Sequence, residues 1–138
     1  MLKAVRSSRR DVELNKRNLI RADLSRHTLV GANLTRANLR GANLSDANMV
    51  SVNLCEADLC EVKFCNANLT DARFSRAKLA GADFTKADVK GADFRNTDLS
   101  NVRNLNLQQI RSANIDATTK LPRAFEGRLT HPGPQQPA

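Results

Sequence analysis

The chain has 138 residues, 41% hydrophobic, 26% charged and 4% aromatic, with neither tryptophan nor tyrosine. That length suits one domain, and no run of 18 apolar residues is present to form a membrane-crossing helix. The formal net charge of +8 invites a nucleic-acid reading, but residues 1–26 carry +5, residues 102–138 carry +3 and residues 27–101 balance nine basic against nine acidic side chains, which argues against a basic groove along the middle.

Residues 1–11 form a basic N-terminal segment outside any repeat. They lack the apolar stretch of a secretory signal, so none is expected. Val12 and Leu14 begin a period of five that runs to Asn101. The large apolar position of each block is filled by Leu, Met, Phe or Val at every step from Leu19 to Leu99. The residue two before it is Ala or Val except at Arg17, His27 and Thr97. Both positions must therefore face one interior. An arginine there would be an uncompensated buried charge, so Arg17 is expected at an open end, reaching solvent. His27 is expected to be a hydrogen-bonded structural residue, since no catalytic partners surround it.

A period of five fits neither regular element. On an α-helix, steps of five advance the face by about 140° per block and smear the apolar residues around the circumference. On a straight strand Ala32 and Leu34 share a face, but Ala37 would point the other way. The chain must bend once per block. Gly31, Gly41, Gly81 and Gly91 all fall two residues after the large apolar position, where a type II turn needs positive φ. Asp46, Ser51, Asn66, Asp71, Asn96 and Asn101 occupy the same slot. The expectation is a coil that turns every five residues around a thin core, with Asn33, Asn38, Asn43, Asp83, Asp88 and Asp93 outside.

The blocks GANLT, RANLR, GANLS, EADLC, GADFT and GADFR resemble the A(D/N)LXX pattern of the pentapeptide repeat family, over about residues 12–101. The resemblance implies an all-β fold, a right-handed quadrilateral β-helix with four blocks per turn. The 18 blocks from Val12 would then make four and a half turns, a rod roughly 20 Å long at a strand spacing of about 4.8 Å.

Taking every fourth block sorts the outward residues by side. The first side carries Lys16, Arg36, Arg73, Arg76 and Arg95 against Glu13, Glu56 and Asp93. The second sets Arg21, Arg40 and Lys78 against Asp58, Glu61 and Asp98, and the third sets Arg26, Lys63 and Lys86 against Asp23, Asp46 and Asp83. The fourth is the least charged and stacks Val30, Val50 and Thr70 in a ladder. Such a ladder either contributes local stability or offers a flat contact surface, so these three residues are the candidate partner surface. Arg6, Arg9, Arg10, Lys16, Arg17 and Arg21 form a candidate basic end.

After Asn101 the register fails, with Asn104 in a large apolar slot. Asn106 and Gln109 have the spacing of a capping box, and Leu105 and Ile110 that of a hydrophobic staple. A short helix near 107–113 is expected inside a C-terminal helical cap of residues 102–121, laying Leu107 and Ile110 over the open core. Residues 122–138, with four prolines, are expected to be a flexible tail.

Cys55, Cys60 and Cys65 stand one block apart, so their thiols should point from three successive sides and share no metal. Asp83, Asp88, Asp93 and Asp98 should diverge in the same way. No phosphate-binding loop, dinucleotide fingerprint or nucleophile–base set is present, so no cofactor is expected and the reading is a non-enzymatic scaffold, a protein–protein interaction module in the cytoplasm. The resemblance implies two further things. Some family members mimic duplex DNA and act on type II topoisomerases, which needs an acidic rod, and members can form a homodimer through an end. A third reading is electrostatic binding of nucleic acid or an anionic membrane by the basic end, which would weaken steeply with salt.

Overall fold

The computed structural model describes residues 14–125. Parallel bridges join Asn18 to Asn38, Asp23 to Asn43, Thr28 to Asn48 and Asn33 to Asn53, and the same 20-residue offset continues down the chain. Four blocks therefore close one coil, and each block forms one side. Side 1 directs Leu14, Leu34, Leu54, Phe74 and Phe94 inward, and side 2 directs Leu19, Leu39, Leu59, Leu79 and Leu99. Side 3 contributes Leu24, Leu44, Phe64 and Phe84, and side 4 contributes Leu29, Met49, Leu69 and Val89. All of these residues are buried.

The five amides of a block show why the motif has its form. In block 52–56 the Val52 amide closes the bend on Met49 O at 3.1 Å, and the Asn53 amide donates to the preceding coil at Ala32 O, 3.0 Å. The Leu54 and Glu56 amides donate to the following coil, at Arg73 O (2.8 Å) and Ser75 O (2.9 Å). The Cys55 amide alone lacks a backbone acceptor, and Asn53 Oδ1 takes it at 3.0 Å. The Asn or Asp of the motif is thus an Asx cap for the amide two residues on. Thr35 on Asn33, Ser45 on Asn43, Cys60 on Asp58 and Thr85 on Asp83 repeat the bond.

The bends lie where the glycines point, with φ between 66° and 79° at the four repeat glycines. Long charged residues adopt the same left-handed conformation, among them Lys16, Arg36, Glu56, Glu61, Arg76 and Lys86. Each such residue costs about 1 kcal/mol, which the surrounding ladder offsets. Asn101, expected at a bend, is not in the left-handed region. It lies in a stretch where the register slips by one: Arg76 N bonds Asn96 O and Gly81 N bonds Asn101 O. No bridge joins Lys78 to Asp98 among the described residues. Thr97 lies in this stretch with its buried hydroxyl in an inward slot, its single proton shared between Phe74 O (3.1 Å) and Arg95 O (3.0 Å).

The core changes character along its length. Leucines fill the first coils, and phenylalanines from the opposed sides 1 and 3 fill the later ones. Phe64 stacks on Phe84 with centroids 5.1 Å apart, and Phe74 on Phe94 at 4.8 Å. The two stacks meet edge to face, as between Phe64 and Phe74 at 6.0 Å, a favoured aromatic geometry.

Past Asn101 the coil is interrupted and then resumes, a departure from a boundary at 101 and from four and a half turns. Asn104, with φ 60°, is exposed and re-aims the chain so that Leu105 points inward. Helix α1, Leu107–Ser112, then takes the place of a side-4 block. Its capping box pairs Gln109 N with Asn106 Oδ1 (2.8 Å) and Asn106 N with Gln109 Oε1 (2.7 Å). Gln109 Nε2 donates to Phe84 O (2.9 Å) and to Ala87 O (3.0 Å), at the latter standing in for the strand amide of the next coil. Leu105 and Ile110 are the buried plug, while Leu107 is only half-buried. Asn114 then bridges Asp93, and Lys120 bridges Asp98. Thr119 Oγ1 donates to Phe94 O at 2.9 Å, just as Thr97 does to Phe74. Leu121 and Phe125 pack half-buried against the core, so ordered packing extends beyond 122, where the tail was expected to start. Residues 1–13 and 126–138 lie outside the described part.

Candidate functional surface

Side 4 is set by bridges from Thr28 to Asn48, Asn48 to Asn68 and Asn68 to Asp88. They stack Val30, Val50 and Thr70 at about the 4.8 Å strand spacing. All three are half-exposed. Val50 N and Thr70 N are capped by Asn48 and Asn68, and Thr70 Oγ1 donates to Asn68 Oδ1 at 2.6 Å. The polar groups at Val50 and Thr70 are thus used internally, and the side chains of the strip offer methyl groups outward. Among the described residues side 4 has no ion pair. At its lower end a groove of about 400 Å³ opens between Ala87–Lys90 and α1, lined by Asn106, Gln108, Gln109 and Ser112.

The other sides carry the charge. On side 1 Arg36 Nε meets Glu56 Oε1 at 2.7 Å, and Arg95 grips both oxygens of Asp93 at 2.9 and 2.8 Å. On side 2 Arg40 reaches Asp58 at 3.3 Å. Burial raises the Asp58 carboxyl, but the Cys60 amide and thiol and the Arg40 guanidinium outweigh it and leave Asp58 below the usual carboxylate range. Burial likewise opposes ionisation of Asp83, yet hydrogen bonds from Thr85, Asn104 and Cys65 hold it down to about 2.

Lys16, Arg17 and Arg21 are exposed on the first coil, two of them at bends. Arg17 reaches solvent at the open end, and His27 Nδ1 lies 3.0 Å from Ser25 O. Arg6, Arg9 and Arg10 lie outside the described residues. Ile20, unforeseen as a surface feature, is 46% exposed beside these cations.

The three cysteines are free. Cys55 and Cys65 are half-buried on sides 1 and 3, whereas Cys60 is buried on side 2, because Arg40 lies across it on the way to Asp58. Burial pushes the Cys60 thiol above its ordinary value, and Asp58 adds to this. Asp83, Asp88, Asp93 and Asp98 bridge Lys63, Asn68, Arg73 and Lys120 in four different ladders. No group of three or more His, Cys, Asp or Glu among the described residues is placed to hold a metal.

The Asx caps were missed in reading the sequence, although Asn or Asp recurs just before the large apolar residue. Treated only as outward residues, they hid a second fact: where Thr28, Lys63, Arg73 or Lys78 takes that slot, the cap is lost.

The profile of the Pentapeptide repeats family matches in 8 copies, over residues 18–54, 47–85 and 66–103. The crystal structure of alr5209, a pentapeptide repeat protein from Nostoc Pcc 7120, is similar with a TM-score of 0.63 and 27% identity, over 80% of this chain and 85% of that one. HetL, a pentapeptide repeat protein involved in heterocyst differentiation regulation from the cyanobacterium Nostoc sp. strain PCC 7120, gives a TM-score of 0.57 at 24% identity. That match covers 80% of this chain and 55% of HetL, so the chain spans about half of HetL's length. No curated protein matches the chain. With its 20-residue coil and its A(D/N)LXX blocks, the chain belongs to the pentapeptide repeat family and folds as a right-handed quadrilateral β-helix.

Proposed function

We propose that the chain is a non-enzymatic binding module, a rigid rod whose fourth side docks a protein partner through Val30, Val50 and Thr70. The observation behind this reading is the contrast between the sides. Sides 1 and 2 carry exposed ion pairs, while side 4 presents a straight, largely apolar strip in which the Val50 and Thr70 amides and the Thr70 hydroxyl are already capped. A flat strip with little to desolvate suits the centre of a protein interface. Three free thiols suit a reducing compartment, in keeping with a cytoplasmic location.

The test is co-purification from the native cell after cross-linking. Val50→Lys places a charge at the centre of the strip, and Ser45→Lys places the same charge on side 3. Retention of a partner by wild type and S45K, with loss in V50K, supports the reading. Absence of any specific partner, or loss in S45K alone, removes it.

A second reading has one observation in its favour: Lys16, Arg17 and Arg21 are exposed and lie in no ion pair among the described residues. Nucleic acid or an anionic membrane bound there should dissociate steeply with salt, which gel-shift and liposome assays read directly. Mimicry of DNA toward a type II topoisomerase has weaker support, because residues 27–101 are charge-balanced. Inhibition or protection in a gyrase supercoiling assay would restore it.

A further inference from the structure

Block 72–76 on side 1 departs from its neighbours. Above it Asn53 caps the Cys55 amide, and below it Asp93 caps the Arg95 amide. Here the cap position is Arg73. The Ser75 amide consequently has no protein acceptor, and the Ser75 hydroxyl no partner, among the described residues. Arg73 and Arg76 flank Ser75, and both are exposed without an ion pair. The carboxylates nearest them are already engaged, Glu56 by Arg36 at 2.7 Å and Asp93 by Arg95 at 2.8 Å. Asp116 adds a third carboxylate beside Arg95. Four guanidiniums therefore meet three carboxylates around one free amide and one free hydroxyl, a local excess of one positive charge, with Arg73 and Arg76 left outside any ion pair among the described residues.

We propose that this cluster is a receptor for a phosphate monoester borne on a partner protein, with Ser75 at its centre. The group's negative charge complements the two unpaired guanidiniums, and guanidinium forks with an N–H and an O–H supply the donors that phosphate oxygens take. The side is flat and open, so a free phosphate would keep most of its hydration, and adjoining protein contact must supply the remaining affinity. A nucleic-acid duplex fits poorly. On the coil above, Glu56 and Asp58 are neutralised by Arg36 and Arg40 and Glu61 adds a negative charge, so no continuous cationic track is offered to a run of phosphates. The cluster lies on a different side from the Val30–Val50–Thr70 strip and does not rest on that reading.

Two substitutions remove the cations without threatening the fold. Arg73→Asn restores an Asx cap for Ser75, and Arg76→Gly places glycine at a bend with φ 61°. The experiment is an NMR titration of the full chain, following the Ser75 amide. The probes are a short alanine-rich peptide with one central phosphoserine, the same peptide unphosphorylated, inorganic phosphate, and a DNA duplex. The expected result is a saturable Ser75 shift with the phosphopeptide, none with its unphosphorylated form and weaker binding of inorganic phosphate. Each variant should lower phosphopeptide affinity roughly tenfold or more while remaining folded. No shift with the phosphopeptide, equal response to both peptides, unchanged affinity in R73N and R76G, or tighter binding of the duplex at the same residues would each overturn the proposal.

Discussion

Asn53 offers the sharpest test of why the repeat takes its form. Its Oδ1 accepts the Cys55 amide at 3.0 Å, the one amide of its block with no backbone acceptor. Asn53→Ala leaves that N–H half-buried and unpaired. A neutral hydrogen bond contributes about 0.5–1.5 kcal/mol net, and partial access to water keeps the loss within that range, so about 1 kcal/mol is expected. Asn53→Asp keeps the acceptor and sets a carboxylate one rung above Arg73, so it should hold or gain stability. Arg73→Asn adds a cap where one is lacking and should gain about 0.5 kcal/mol. Urea unfolding reads all three as midpoint shifts; with a slope of about 2 kcal/mol per molar, Asn53→Ala should lower the midpoint by roughly 0.5 M. If Asn53→Asp falls as far as Asn53→Ala, or Asn53→Ala does not move, the cap contributes nothing and the motif needs another explanation.

Phe64→Ala opens a cavity under a ring stacked on Phe84 at 5.1 Å and should cost about 4 kcal/mol; Phe64→Leu, the residue side 3 uses at Leu24 and Leu44, should cost about 1–2 kcal/mol in the same unfolding experiment. At the bends, Gly91→Ala at φ 69° should destabilise by about 1 kcal/mol, while Lys86→Gly at φ 55° should be neutral or slightly stabilising, with thermal melts reading the opposite signs. Asp83 ionises in the fold at about 2 against an ordinary 3.8. Its depressed value favours the folded state above pH 3.8 and that contribution disappears as pH falls through about 2. Asp83→Asn should therefore flatten the acid limb of the stability profile between those values, and an unchanged limb would show that Asp83 is not held as described.

The repeated body was legible because its pattern is over-determined. Every residue in the large inward slot from Leu19 to Leu99 is buried, and the glycines mark bends whose geometry only a turning coil satisfies. Bends such as Arg36 or Glu61 could not be located from residue type alone, since their left-handed conformation is imposed by the ladder and not by their own preference. The C-terminal coil was hidden for a related reason. Ala113-Asn114-Ile115 and Thr119-Lys120-Leu121 have the motif's order, but α1 precedes them and the step from Ile115 to Leu121 is six, so a strict count of five passes over them. The strip on side 4 followed from the period alone. The Ser75 cluster did not, because it becomes visible only when each amide is assigned its acceptor and the uncapped one at Ser75 is found between two unpaired arginines.

The reading of side 4 as the docking side can be tested within a single coil. Thr35, Arg40, Ser45 and Val50 occupy equivalent outward positions on sides 1, 2, 3 and 4. A photoreactive residue placed at each in turn, in otherwise identical chains expressed in the native cell, compares the four sides at one height. The expected result is a discrete protein adduct from position 50 that is weak or absent from positions 35, 40 and 45. Equal adducts from all four positions, or the strongest adduct from another side, would contradict it.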